Sequence, residues 1–311
     1  MDVHPLCAPD VAGAIARAAT EHLGRSWTSG GFTDLNALAS HPSGIHHGPA
    51  LSVFAKLATD PRGAERFGAE LAGLDLLHRQ AGVPTPTPIG PGLVAVDGGV
   101  LLLLVALAAR SPEARTADDW RSIGATLARL HMVGGENFGL GAFDGFYGPL
   151  PQDNAPVRSD RWIDFFVERR LLPVLRSAVD AGHLPEELAG GVDDVVRRLP
   201  SWCDLDTRPV LLHGDAQQHN FVSTDAGAVV IDPAPYFGHA EMDLAQVDVF
   251  DPVPTDVHDA YREIVPVAAD AAGRTELWRL YCYLAAVTVD ATTPFGRRMV
   301  GALAAAVRRY R

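Results

Sequence analysis

Lysine is nearly absent from this chain of 311 residues. Of the 26 basic residues, only Lys56 is a lysine and the others are arginines. A GC-rich genome explains why lysine is rare, but it does not explain where the remaining one lies. Lys56 comes near the end of the apolar run LSVFAKL at 51–57, which is typical of a β-strand. One compact ammonium indicates a site that the planar guanidinium fork would not suit, such as a strand lysine that reaches phosphate groups.

Cysteine and long apolar stretches are also scarce. The cysteines Cys7, Cys203 and Cys282 are widely spaced and form no CxxC pair, so they favour neither a disulfide framework nor a zinc knuckle. The longest apolar run, at 100–109, is about half the length that a membrane-spanning helix needs. The N-terminus has no basic segment followed by an apolar stretch, so no signal peptide is expected. These features predict a cytoplasmic protein with no membrane partner.

Positive charge is in deficit, because the formal net charge is −12. An acidic surface repels phosphate backbones, so nucleic acids and anionic membranes are poor partners. A small cationic or neutral substrate suits the charge better. The length allows one large domain or two lobes with a substantial core, as either a monomer or a homodimer.

Residue patterns divide the chain into two parts. Beyond residue 110 the periodicity is mostly helical, except around a short β-hairpin within 209–232. The helices predicted there span about 117–133, 160–180, 185–199, 256–271, 275–290 and 295–310. The earlier part mixes helices and strands: helix 10–23, strand 35–39, turn-rich stretch 41–49, strand 51–57, helix 60–82, and strands 93–96 and 100–107. We therefore predict an α+β fold. A small N-terminal lobe (1–106) would hold an antiparallel sheet plus helix, and a larger, mainly helical lobe (107–311) would follow.

The segment 213–232 holds the strongest functional signal. It reads HGDAQQHN, a short strand FVS, a turn, and then VVID. Asn220 precedes the first strand of the predicted hairpin and Asp232 follows the second, so both belong at its open end. They can share one Mg²⁺, which prefers oxygen ligands together with waters and substrate phosphates. Asp215 lies in the same loop and can accept a hydroxyl proton, while His213 is expected to brace that loop.

Three further residues complete the predicted phosphate side of the site. Glu70 lies on the predicted helix 60–82 beside its apolar stripe, so we expect it to hold the Lys56 side chain. Gly30 and Gly31 could form a turn that approaches phosphates closely, although a plain turn is equally consistent with this pair. Phosphoryl transfer requires positioning and charge neutralisation, and these residue types supply both.

These residues resemble those of the aminoglycoside phosphotransferase-like superfamily, small-molecule relatives of protein kinases, and within it the fructosamine (ketosamine-3) kinase family. The resemblance covers most of residues 125–285 and is looser in the N-terminal part. Its segments are FGAELAGLDLL at 67–77, Phe138-Gly139, DGFYG at 144–148, PQDN at 151–154, RWIDFFVERRLLPVL at 161–175, HGDAQQHN with IDP, YFGHAEMDLA at 236–245 and AYREIVP at 260–266.

The resemblance implies a bilobal protein-kinase-like fold that uses ATP and Mg²⁺. It assigns Asp215 as the catalytic base, Asn220 and Asp232 as metal ligands, and Lys56 with Glu70 as the phosphate-side pair.

The resemblance also implies roles for residues around this centre. Asp243 would be a structural carboxylate that braces the catalytic loop. Adenine would lie against the linker near Leu104–Leu107. Trp162, in the helical lobe, would border the acceptor site.

Two departures from the family pattern concern the acceptor. The family has a tryptophan two residues after the catalytic aspartate, where this chain has Gln217, and it has Asp-Asn where this chain has Asp144-Gly145. The predicted function is therefore phosphorylation of a small-molecule hydroxyl, with a ketosamine sugar as the leading substrate class. An antibiotic phosphotransferase acting on an aminoglycoside, nucleoside or peptide antibiotic is the alternative. A catalytically silent nucleotide-binding protein is the alternative of another class.

Overall fold

The N-terminal part of the chain forms one five-stranded antiparallel sheet. The computed structural model describes residues 3–36, 41–203, 205 and 207–310. The spatial order of the strands is β1-β2-β3-β5-β4. Their bounds are β1 Gly31–Asp34, β2 Ser43–His47, β3 Val53–Ala58, β4 Pro88–Val96 and β5 Gly99–Val105.

Alternation along β3 decides which way Lys56 faces. Side chains along a strand point to opposite faces in turn. Val53 and Ala55 join one apolar cluster, and Ala58 joins another. Lys56 shares the parity of Ala58 and pairs in register with Leu102 of β5, which belongs to the second cluster. The sheet therefore presents Lys56 on the face that this second cluster covers.

Two helices cover the faces of the sheet. Helix α1 (Pro9–Leu23) packs in the first cluster and helix α2 (Gly63–Ala81) in the second. Each helix ends at a glycine in the left-handed region, Gly24 with φ 65° and Gly82 with φ 63°. Glycine adopts this conformation without steric cost, which is why it commonly ends a helix. Helix α2 lies on the Lys56 face and carries Glu70.

The remainder of the chain is mainly helical. Its helices are α3 Ala117–His131, α4 Trp162–Phe166, α5 Leu172–Asp180, α6 Glu186–Trp202, α7 Glu241–Gln246, α8 Thr255–Arg262, α9 Ala271–Asp290 and α10 Pro294–Tyr310. A π-helical turn, Val167–Leu171, joins α4 to α5. A large aromatic and aliphatic cluster forms the core of this part. Within the described residues, no helix is long and apolar enough to span a membrane.

Three small two-stranded sheets are set among these helices. The first pairs β6 (Gly145–Tyr147) with β7 (Leu150–Gln152), and the second pairs β8 (Val210–Leu211) with β11 (Phe237–Gly238). The third is the predicted hairpin, formed by β9 (Phe221–Thr224) and β10 (Gly227–Val230). The loop that contains Asp215 connects β8 to β9.

The α+β prediction with an N-terminal antiparallel sheet and a mainly helical remainder is confirmed, but several local predictions are wrong. Strand β2 occupies the stretch 41–49 that its Ser, Gly and His content marked as turn-rich. The predicted strand 35–39 lies mostly outside the described residues, and the observed strand precedes it. The predicted helix 256–271 ends at Arg262. The division of the chain at 106/107 stays a prediction.

Candidate active site

A cavity of about 360 Å³ lies between the sheet with α2 and the Asp215 loop. Lys56, Glu70, Asp215, Asn220 and Asp232 all line it. Lys56, Asp215 and Asn220 are buried, the Glu70 side chain is 12% exposed, and the Asp232 side chain is 41% exposed. The other lining residues are His41, Ser43, Arg66, Phe67, Ala69, Phe146, Gly148, Gln217, His219, Ile231 and Pro233. The residues predicted for the base, the metal ligands and the phosphate-side pair are therefore brought together in one hollow.

Lys56 is held by two carboxylates. Its Nζ donates to Oε1 and Oε2 of Glu70 at 3.0 and 3.1 Å, and it also contacts Asp232. Burial disfavours the ammonium, but Asp232 and Glu70 outweigh burial and raise the pKa of Lys56. Burial raises the pKa of Glu70 to about 8, with the Asp232 charge adding to it and Lys56 opposing it. Lys56 is thus a fixed, fully charged ammonium at the inner wall of the cavity.

The backbone before Asp215 is braced by Asp243. The Asp243 carboxylate accepts hydrogen bonds from the backbone N–H groups of His213 (2.7 Å) and Gly214 (3.1 Å). Gly214 has φ 82°, and a Cβ there would lie 1.9 Å from the Ala234 carbonyl oxygen. This position therefore requires glycine. His213 Nδ1 accepts from the Asp215 N–H, and burial lowers the His213 pKa, so the imidazole is neutral.

The Asp215 carboxyl is suited to act as a base near neutral pH. It is 9% exposed. Burial and, next, the charge of Asp232 raise its pKa to about 7, while hydrogen bonds from Gln217 and Asn220 act in the opposite direction. Nε2 of Gln217 lies 3.5 and 3.4 Å from the two carboxylate oxygens. Gln217 is therefore beside the position where a substrate hydroxyl would meet Asp215.

Asn220 and Asp232 meet at the open end of the β9–β10 hairpin. Val230 pairs with Phe221, and the Ile231 N–H continues the ladder to the Asn220 carbonyl. Asp232 follows with φ 50°, a left-handed conformation that non-glycine residues rarely adopt and that often marks a functional site.

The donor atoms at this open end suit Mg²⁺. Nδ2 of Asn220 donates to the Asp215 carbonyl at 2.8 Å, which leaves Oδ1 as the atom able to bind a cation. The cleft walls disfavour the Asp232 charge, but contact with Lys56 lowers its pKa and keeps it ionised. A carboxylate and an amide oxygen are hard ligands, and Mg²⁺ takes the rest of its shell from water and phosphate.

Gly30 and Gly31 lie away from this cavity. Gly31 pairs with His47, whereas Ser43, which lines the cavity, pairs with Lys56 at the other end of β2. The cleft therefore lies at the Ser43 end of β2, and the predicted close approach of the two glycines to phosphates is not supported.

Trp162 lies in the helical core. It is 1% exposed and its ring stacks on Phe165 and Phe166. Its position does not support the predicted border with the acceptor.

The two linker leucines are also outside the cavity lining. Leu104 is buried in the cluster beneath α2, and Leu107 is half-buried after β5. The adenine position stays a prediction.

Sequence reasoning missed several residues around the site. Arg66 and Phe146 line the cavity, from α2 and from the β6–β7 hairpin. Behind the loop, His131 Nε2 lies 3.2 Å from Asp243 Oδ2, and its Nδ1 lies 2.7 Å from the Tyr261 hydroxyl. His131 carried a weak signal, since it falls on the buried face of a predicted helix. The others depend on distant segments meeting.

Comparisons with known proteins point to one family. The family model described as fructosamine kinase matches residues 12–301. A protein from Synechocystis sp. named "Probable ketoamine kinase" is 32% identical over 222 residues, which cover 70% of each chain. The crystal structure of a fructosamine-3-kinase candidate from Thermobifida fusca has 31% identity and a TM-score of 0.77, covering 95% of this chain and 99% of the other.

A more distant structural neighbour shows the fold alone. The aminoglycoside phosphotransferase APH(4)-Ia, solved as a ternary complex with ADP and hygromycin B, has a TM-score of 0.60 at 12% identity, covering 95% of this chain and 98% of the other. The fold is therefore shared with kinase-like small-molecule phosphotransferases.

Proposed function

The chain belongs to the fructosamine kinase family, and on that premise we propose that it transfers the γ-phosphate of ATP to a hydroxyl of a ketosamine sugar. The kinase class with an alcohol acceptor follows from the family. The substrate is the proposal, since it is supported by what relatives are named for. The antibiotic phosphotransferase alternative is not favoured, because the likeness to APH(4)-Ia at 12% identity extends to the fold alone.

One observation carries the proposal: Lys56, Glu70, Asp215, Asn220 and Asp232 line the same cavity. In it, Asp215 would accept the proton of the attacking hydroxyl. Asn220 Oδ1 and Asp232 would hold Mg²⁺, which when bound offsets the charge of the phosphates. Lys56, positioned by Glu70, would contact the phosphates from the sheet side. The presence of all five residues also argues against a catalytically inactive nucleotide-binding protein, which would not need a base.

The acceptor would approach from the side of Gln217 and Phe146. Phe146 contributes an aromatic ring to the cavity, and Gln217 contributes an amide within reach of the Asp215 carboxylate. Sugars present both apolar C–H faces and hydroxyls, so an aromatic wall opposite an amide suits them.

The test is a panel of acceptors incubated with ATP and Mg²⁺ and read by product mass. Fructosamine and ribulosamine derivatives of small amines are expected to gain one phosphoryl group. Aminoglycosides, nucleosides and peptide antibiotics are expected to remain unmodified. The same sugars without the amine serve as matched controls. Phosphorylation of an antibiotic, with none of any ketosamine, would overturn the substrate assignment while leaving the kinase class intact.

Removing the oxygen ligand at position 220 should raise the requirement for Mg²⁺. For Asn220→Ala, we expect the Mg²⁺ concentration at half-maximal activity to rise about tenfold, a typical cost of disturbing a metal site. Asn220→Asp keeps an oxygen at this position but loses the Nδ2 hydrogen bond to the Asp215 carbonyl. It should need no more Mg²⁺ than the wild type. If both variants shift the Mg²⁺ titration equally, the amide serves the loop and not the metal.

A further inference from the structure

We propose that Arg66 is the second phosphate-binding cation of the cleft and contacts the terminal phosphate of ATP, the group that is transferred. This inference rests on the kinase activity proposed above but not on the identity of the acceptor. The sequence motifs did not identify Arg66 as a site residue.

Arg66 is placed on the cavity by helix α2. It lies four residues before Glu70, so the two side chains share one face of the helix. Arg66 is 9% exposed and lines the same cavity as Lys56 and Asp215. Since Phe146 of the acceptor side contacts Arg62, at the start of α2, Arg66 lies between the acceptor side and the Lys56–Glu70 pair. A phosphoryl group in transit to the acceptor would pass through this interval.

The charges of the cavity call for such a cation. Lys56 is already engaged by the carboxylates of Glu70 and Asp232. The triphosphate carries more negative charge than one divalent cation offsets. Among the described residues that line the cavity, Arg66 is the other side chain with a permanent positive charge. Without it, the transferred group would face the carboxylates with only Lys56 and the metal in opposition.

The present partners of the guanidinium are exchangeable. Arg66 Nη2 donates to Asp60 Oδ2 at 2.6 Å, but the Asp60 side chain is 47% exposed. Ion pairs with such exposed carboxylates contribute little. Nη2 also lies 2.7 Å from His41 Nε2, and Nε is buried without a hydrogen-bond partner among the described residues. Asp60 Oδ1 also accepts from Nη1, at 3.4 Å. A phosphate would replace this half-exposed carboxylate with a more highly charged group that can accept from the guanidinium in the same paired way.

A purely structural role makes different predictions. If Arg66 only tied α2 to the end of the β1–β2 connection through His41, its loss would lower thermal stability. It would then weaken ADP and ATP binding alike. A contact with the terminal phosphate affects ATP alone, because ADP lacks that group.

The experiment is calorimetric binding of ADP and of an ATP analogue with a non-hydrolysable β–γ bridge, both with Mg²⁺. For Arg66→Gln, we expect the analogue to bind about tenfold more weakly and ADP to change by less than about twofold. With any accepted ketosamine, kcat should fall about 10²-fold. Arg79→Gln is the matched control: it removes an arginine of the same helix that is 76% exposed, pairs with Asp75 and lies outside the cavity lining. It should leave the analogue-to-ADP affinity ratio unchanged.

A further variant tests the exchange of partners. Asp60→Asn releases the guanidinium and should leave analogue binding unchanged or tighter. The proposal is overturned if Arg66→Gln weakens both nucleotides equally, if it alters neither, or if it raises only the acceptor KM. It is also overturned if Asp60→Asn weakens the analogue as much as Arg66→Gln does. None of these binding results depends on the acceptor panel, so failure of the substrate assignment remains separate.

Discussion

Replacing Asp215 with asparagine should lower kcat by about 10²–10⁴-fold, the usual contribution of a positioned general base. Asparagine has nearly the same shape but cannot accept the hydroxyl proton. Asn220 Nδ2 donates to the backbone carbonyl of residue 215. The substitution leaves that carbonyl in place, so the loop should keep its geometry. Product formation at saturating ATP and acceptor is the measurement.

The same substitution should stabilise the fold at alkaline pH. The pKa of Asp215 is raised by burial to about 7, so the folded protein favours the neutral acid and is destabilised once the carboxyl ionises. Asparagine removes that cost. At pH 8 we expect Asp215→Asn to unfold at a temperature at least about 2 °C higher than the wild type. The difference should shrink as the pH is lowered toward the ordinary carboxyl pKa.

The pH dependence of the wild-type enzyme follows from the same carboxyl. A base works in its ionised form, so kcat/KM for the acceptor should rise with pH and be half-maximal near or below pH 7. A cation on Asp232 would offset the charge that helps to raise the Asp215 pKa, and would therefore lower that pKa.

A matched control for Asp215→Asn is Asp225→Asn, which changes an exposed carboxylate in the turn between β9 and β10 that pairs with Arg110. It should change neither kcat nor the pH profile. Near wild-type turnover by Asp215→Asn would remove Asp215 from the role of base.

The hairpin side of the site could be predicted because it depends on short-range geometry. Asn220 and Asp232 are twelve positions apart, but a tight β-hairpin between them leaves little freedom, and the observed ladder brings them together. Glu70 could be chosen because helical periodicity places it beside the apolar stripe that includes Phe67 and Leu74. In both cases a local period decides which way a side chain points.

The rest of the site depends on contacts between distant segments, which local patterns do not encode. Trp162 lies in a helical segment, and nothing local distinguishes a core aromatic from one on a substrate wall. Gly30 and Gly31 would form a phosphate-binding turn only if the turn between β1 and β2 followed them directly. The register instead pairs Gly31 with His47, at the opposite end of these two strands. Arg66 reaches the cleft because α2 packs on β4 and β5 of the sheet and brings the guanidinium next to His41, which precedes β2.

The acceptor side was the least predictable for the same reason. Phe146 and Gly148 come from the β6–β7 hairpin, while Gln217 and His219 come from the loop that contains Asp215. The hairpin is held from behind by Gln152, whose Nε2 donates to the Tyr281 hydroxyl at 2.6 Å. Sequence similarity identifies these motifs, but it does not predict that they line the same side of the cavity. Substrate choice therefore depends on an arrangement that only the folded chain displays.

Exchange of the lone lysine for arginine should impair the use of ATP, although it conserves charge. In Lys56→Arg we expect kcat/KM for ATP to fall about 10²-fold, mainly through a higher KM. The site is built for a point charge: both Glu70 oxygens lie 3.0 and 3.1 Å from Nζ, and the side chain is 10% exposed. A planar fork directs its donors differently and needs more volume, so it would displace Glu70 or Asp232.

Helix α2 offers the matched control for this exchange. Arg79→Lys makes the reverse change at a side chain that is 76% exposed and pairs with Asp75. It should leave the ATP kinetics within error of the wild type, since exposed ion pairs contribute little. Steady-state kinetics with varied ATP, together with the thermal shift that MgATP produces, would measure both variants. Unchanged ATP kinetics in Lys56→Arg would mean that the cavity does not distinguish an ammonium from a guanidinium. The survival of one lysine among 26 basic residues would then reflect composition and not chemistry.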